Sequence, residues 1–83
     1  MEPQELRDLL EDRFAGAEVL IERLPGTNRL TGHIVWSGFE GMDHFERQEK
    51  IWELMRNNLG AQSAGISVIL SYAPSEYNAM AGV

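Results

Sequence analysis

Apolar residues recur along this chain with two rhythms in a set order, and that order limits the possible folds more than any other property. Leu6, Leu9, Leu10 and Phe14 fall at three- and four-residue steps with Arg7, Asp8, Glu11 and Asp12 between them, behind Pro3. Residues 3–15 are therefore expected to form an amphipathic helix, which Gly16 can end in the left-handed conformation. Residues 17–24 are rich in β-branched types and set Val19 and Ile21 on one face and Leu20 on the other, the pattern of a strand. Pro25-Gly26-Thr27-Asn28 is turn chemistry. In residues 30–37, Ile34 and Trp36 alternate against His33 and Val35, so the two strands should form a hairpin.

The rhythm then returns to that of a helix. Gly38 and Gly41 bracket Phe39 in a connection that can place the ring as a cap on the core. Asp43 offers an acceptor for a helix start, and Glu46 three positions later makes an acidic variant of the capping box. Phe45, Gln48, Ile51, Trp52, Met55 and Leu59 keep helical spacing up to the closing Gly60. Residues 61–65 read as a small polar linker. Ile66, Val68, Leu70 and Tyr72 alternate with Ser67, Ile69 and Ser71, which identifies a third strand. A short helical turn is expected at Pro74-Ser75-Glu76-Tyr77, and a loose tail over residues 78–83.

Strands next to helices that cover one face make an α+β two-layer sandwich. The expected order is α-β-β-α-(α)-β-α, with a three-stranded mixed sheet, because the third strand can join the hairpin only by a right-handed helical crossover. At 83 residues the chain suits a single domain spanning 1–83. Thirteen acids against seven bases give a net charge of −6, which repels phosphate backbones at long range. With no cysteine, a disulfide, a thiolate nucleophile or an all-cysteine iron–sulfur site is excluded. The acidic N-terminus does not read as a secretory signal, and no segment approaches the ~20 apolar residues of a membrane span, so a cytoplasmic location is expected.

The residues Phe39-x-Gly41, the run from Arg47 through Gln48, Glu49, Lys50 and Ile51 to Trp52, and the strand from Ile66 ending in Pro74-Ser75-Glu76-Tyr77 together resemble the BolA-like family. That family has the same element order, a Phe-x-Gly turn, a helix carrying Arg-His-Arg, and a last strand running into a Thr-Pro-x-Glu-aromatic ending. The resemblance covers nearly the whole chain and implies a class II KH-like topology. It also implies a non-catalytic regulatory domain that pairs with a monothiol glutaredoxin and can share a two-iron two-sulfur cluster, or a transcription regulator that binds DNA through its helix-turn-helix region. The chain departs from the pattern at four places. The histidine of Arg-His-Arg falls at Gln48, the second arginine at Glu49, and the family's usual cluster ligand at Gly65. The hairpin loop, where a second Cys or His is frequent in the family, holds neither. Cluster sharing therefore lacks its residues, and no cofactor is expected.

Individual residues add little chemistry. His33 and His44 are the only imidazoles, too few for a usual metal site, and surface positions suit both. Acid pairs such as Glu11 with Asp12 fall on solvent faces, and the serines lack a neighbouring base, so an enzyme is not expected. Trp36 and Trp52 occupy the apolar phase of their elements and read as core. The expected partner contacts are Arg47, Gln48, Glu49, Lys50, Tyr72 and Tyr77, the tyrosines because they carry large area with a polar tip. The alternative, a nucleic-acid regulator, would use Arg47, Lys50 and Arg56. A monomer or weak dimer, without a membrane partner, completes the expectation.

Overall fold

The computed structural model describes residues 1–81. In chain order its elements are α1 (Pro3–Arg13), β1 (Glu18–Arg23), β2 (Leu30–Val35), a 3-10 turn (Ser37–Phe39), α2 (His44–Leu59), a second 3-10 stretch (Gly60–Gly65), β3 (Ile66–Tyr72) and α3 (Pro74–Ala81). The hairpin turn closes because Gly26 takes a φ of 77°, while the Leu24 N–H donates to the Arg29 carbonyl at 2.8 Å. β1 and β2 pair antiparallel from Glu18 opposite Val35 to Arg23 opposite Leu30. β2 pairs parallel with β3, from Leu30 opposite Ile66 to Val35 opposite Tyr72, with an irregularity at Leu30/Thr31. The sheet order is β1-β2-β3, the mixed sheet expected from a helical crossover.

One face of the sheet carries the core. Leu6 and Leu10 of α1, Ile51 and Met55 of α2, and Ile21, Leu30, Ile34, Ile66 and Ile69 of the strands form one buried cluster with Phe14, Phe39 and Ala73. Each large side chain removed from water there stabilises the fold by about 1.5–3 kcal/mol. Phe39 caps this cluster as its spacing suggested and is fully buried. The indole of Trp36 lies over it, edge-on to Phe14 at 5.0 Å and to Phe39 at 5.1 Å, and its N–H donates to the Ala15 carbonyl at 3.0 Å. A β-carbon at Gly38 would run into that indole, so glycine is the residue the connection tolerates. The side chain of Asp43 accepts from the Glu46 N–H at 2.8 Å and starts α2, and Gly60 ends it at φ 57°.

Several local expectations are corrected. The expected loop and linker around α2 are 3-10 turns in part, Ser37–Phe39 and Gly60–Gly65, because i to i+3 bonds close them. In place of a loose tail from residue 78, α3 continues to Ala81, and the last two residues of that expectation lie outside the described residues. Val35, expected with His33 away from the core, is buried between its register neighbours Glu18 of β1 and Tyr72 of β3 on the central strand. Both tryptophans are half-buried and pack against the core without being enclosed by it. The largest correction is on α2. Phe45, which its spacing places on the apolar face, is 73% exposed, while Arg47 is buried in its stead. With ~100° per residue, Arg47, Ile51 and Met55 make the inward stripe, and Phe45 and Trp52 fall about 100–120° to one side of Ile51.

Candidate functional site

Arg47 organises the corner where α2, the end of β3 and the start of α3 meet. Its guanidinium donates twice to the Glu76 carboxylate, Nη1 to Oε1 at 2.6 Å and Nη2 to Oε2 at 3.1 Å. Nε donates to the Met42 carbonyl at 2.9 Å, and the ring of Phe39 lies 5.8 Å from the guanidinium carbon. A planar fork matched to a carboxylate is the strong form of such a pair. The Ala73 N–H also donates to Glu76, at 2.8 Å. The Arg47 guanidinium, and after it this N–H, hold the Glu76 carboxyl at about 2, well below its ordinary 4.5. The same hydrogen bonds raise Arg47 further above its already basic value.

Along the strand, the Trp36 N–H reaches the Tyr72 carbonyl and the Thr31 hydroxyl reaches the Val68 carbonyl, so the even-numbered carbonyls of β3 face β2. By alternation the Ile69 and Ser71 carbonyls face the open edge. Gln48 covers that edge: its amide donates to the Ile69 carbonyl at 2.8 Å and to the Ser71 hydroxyl at 3.3 Å. Side chains of α2 thus occupy bonding groups that a bare edge would offer to another strand. Phe45, Gln48 and Trp52 lie on this flank of α2 at three- and four-residue steps, with Glu49 beyond them in solvent. Phe45 is the exposed aromatic of this flank, and its spacing, which matches the core stripe, hides that exposure in the sequence.

The expected partner residues therefore separate. Arg47 and Gln48 meet at the β3 edge, Glu49 borders them, and Lys50 lies on the opposite flank, beside a shallow cleft lined also by Arg13, Phe14 and Leu54. Tyr72 and Tyr77 sit on the other side of the sheet. There they pack with His33 in a trio of rings, 5.4 Å from His33 to Tyr77, 6.0 Å from His33 to Tyr72 and 5.7 Å between the tyrosines. His33, expected as a plain surface residue, is half-buried in this trio. The three bases of the nucleic-acid reading do not converge. Arg47 points inward onto Glu76, and Lys50 and Arg56 are about 120° apart around α2.

At the far end of the sheet, Gly65 borders a small cleft with Asn28, Leu30, Gln62 and Ile66. This is where the resemblance places the cluster-ligating histidine next to the hairpin loop. The lining offers the amides of Asn28 and Gln62, the Met1 thioether, backbone and apolar groups, with no imidazole or thiolate, so these residues do not fit an iron–sulfur cluster. Among the described residues no three His, Cys, Asp or Glu side chains gather as a metal site would need. No helix among them is long and apolar enough to cross a membrane.

A helix-covered three-stranded mixed sheet of β1-β2-β3 order, with α3 locked to α2 by a buried arginine, defines a small α+β domain of one known architecture. Over most of its length it is similar to BolA1 from Arabidopsis thaliana, with a TM-score of 0.70, 27% identity and coverage of 92% of this chain and 98% of that one. A bolA protein homologue from Coxiella burnetii superposes at TM-score 0.75 with 16% identity, covering 94% and 97%. The BolA domain of SufE1 from Arabidopsis thaliana superposes at 0.70 with 22% identity, covering 89% and 93%. The chain has the BolA-like fold. No protein-family model matches its sequence, and neither does any curated protein.

Proposed function

We propose that the chain is a non-catalytic interaction module that binds a protein partner along the α2 flank beside the open edge of β3, with a monothiol glutaredoxin as the first candidate. The observation that carries this reading is Phe45. A phenylalanine 73% exposed beside half-buried Gln48 and Trp52, on a helix whose inward side is already filled, is a large apolar anchor without a partner of its own. The BolA-like fold supports the candidate partner through the family resemblance, and the missing ligands at Gly65 and in the hairpin loop argue for association without a shared cluster. The nucleic-acid alternative gains no support from three bases that point apart on a molecule of net charge −6.

The test is a titration of isotope-labelled domain with apo monothiol glutaredoxin, read by amide chemical shifts. Shifts should concentrate at Phe45, Gln48, Glu49 and Trp52, and Phe45→Ala should weaken binding by about tenfold or more, the loss of one buried aromatic anchor. An unchanged spectrum, or shifts confined to α1, removes the proposal.

A further inference from the structure

The sheet face turned away from α1 and α2 carries a second apolar surface. Leu20, Val68 and Leu70 are 47%, 48% and 44% exposed, far more than the strand residues of the core-side face such as Ile34 and Ile69 at 0%. Register joins them: Leu20 lies opposite His33, and His33 opposite Leu70, so one row crosses all three strands. Val68 lies in the neighbouring row opposite Thr31. At the usual strand spacing the row spans about 10 Å, and Val68 to Tyr72 runs about 13 Å along β3. The ring trio of His33, Tyr72 and Tyr77 closes one end of the surface and gives it a rigid, amphipathic wall.

Charge tells what such a surface fits. Glu18 and Glu22 flank Leu20 on the same face by alternation, and both are exposed. No lysine or arginine of the three strands alternates onto this face. Arg23 falls on the other one, where it pairs with Glu2, and Arg29 bends from the hairpin loop onto the Ser67 hydroxyl at 2.6 Å. The surface is thus apolar at Leu20 of β1 and at Val68 and Leu70 of β3, polar at Thr31 and His33 of β2 between them, and acidic at Glu18 and Glu22 on either side of Leu20. An anionic membrane is repelled by that border, and a second copy brings to it the same face with the same two carboxylates.

We infer that this sheet face is a second docking surface, for a basic amphipathic helix of a protein partner whose apolar side chains cover Leu20, Val68 and Leu70 while its lysines or arginines meet Glu18 and Glu22. The surface is separate from the Phe45 flank, so the domain can hold two partners at once and bridge them. Its test reads different residues from those of the glutaredoxin titration, and either result can fail alone.

The probe is a leucine–lysine amphipathic helical peptide about 18 residues long, ~27 Å of helix, compared with a leucine–glutamate counterpart and with a leucine–lysine peptide of the same composition in scrambled order. The leucine–lysine helix should shift the amides of Leu20, Thr31, His33, Val68 and Leu70. Leu70→Lys should weaken it about tenfold, and Glu18→Gln combined with Glu22→Gln should weaken it and flatten its salt dependence. All three substitutions fall on exposed side chains, so the fold serves as its own control through unchanged shifts in α1 and α2. Five results would each overturn the inference: no binding, equal binding of the scrambled or glutamate peptide, shifts located on the helices, dilution-dependent shifts of the same residues without peptide, which would mean a second copy, or recruitment to vesicles containing phosphatidylserine.

Discussion

Arg47 and Phe45 exchange the places that their side-chain chemistry alone suggests. Spacing identified α2 correctly but left its rotation open, since Phe45, Gln48, Ile51, Trp52 and Met55 make as regular a stripe as Arg47, Ile51 and Met55. What decides is Glu76, 29 residues further on, which neutralises a guanidinium that could not otherwise be buried. No local pattern announces that pairing. Its consequence is measurable as pH dependence. The Glu76 carboxyl lies at about 2 against an ordinary 4.5, so its ionised form is favoured by folding. The stabilisation is complete above about pH 4.5 and is lost as pH falls toward about 2. Urea titrations across that window should show a decline that is shallower in Glu76→Gln, which is less stable than the parent at neutral pH. Parallel curves for the two proteins would show that Glu76 is not the group titrating.

At the scale of elements, α1, the hairpin, α2 and β3 were legible because each has its own period and its own punctuation. Asp43, Gly26 and Gly60 do what their positions suggested. The 3-10 turns and the length of α3 were not legible. Pro74 to Ala81 has only a weak apolar stripe, and the helix is held by contacts from elsewhere, Glu76 to Arg47 on one side and Tyr77 to His33 on the other. An element whose stability comes from a few tertiary contacts opens before one set in the core. Amide exchange in α3, from Tyr77 to Met80, should therefore be faster than in the Ile51 to Met55 turn of α2, and Glu76→Gln should speed it further. Equal protection of the two helices would mean that α3 is part of the cooperative core.

At the scale of the whole molecule, the described residues fill one face of the sheet and leave exposed apolar side chains at Phe45 and along Leu20, Val68 and Leu70, on which the two proposed docking surfaces rest. The helices cover the core side of the sheet, the Phe45 flank borders the β3 edge, and the Leu20 to Leu70 row lies on the open side. Composition predicted the sign of the molecule and so the partner class it disfavours. Duplex DNA should show no binding even at low salt, where a basic face would bind most tightly, and affinity falling steeply with added salt would contradict that. The resemblance carried the topology, because apolar rhythm and turn residues set it. It carried the ligand chemistry less far, because one glycine in place of a histidine removes a ligand without disturbing the fold.

The most direct measurement is the amide spectrum of the domain titrated with cluster-loaded monothiol glutaredoxin. A bound iron–sulfur cluster broadens the signals nearest to it, and its position can be read from those losses. Shifts along Phe45, Gln48, Glu49 and Trp52, with Asn28 and Gly65 remaining sharp, are the predicted result. Selective loss of the Asn28 and Gly65 signals would mean that a cluster is held at the hairpin end after all, and would contradict the account.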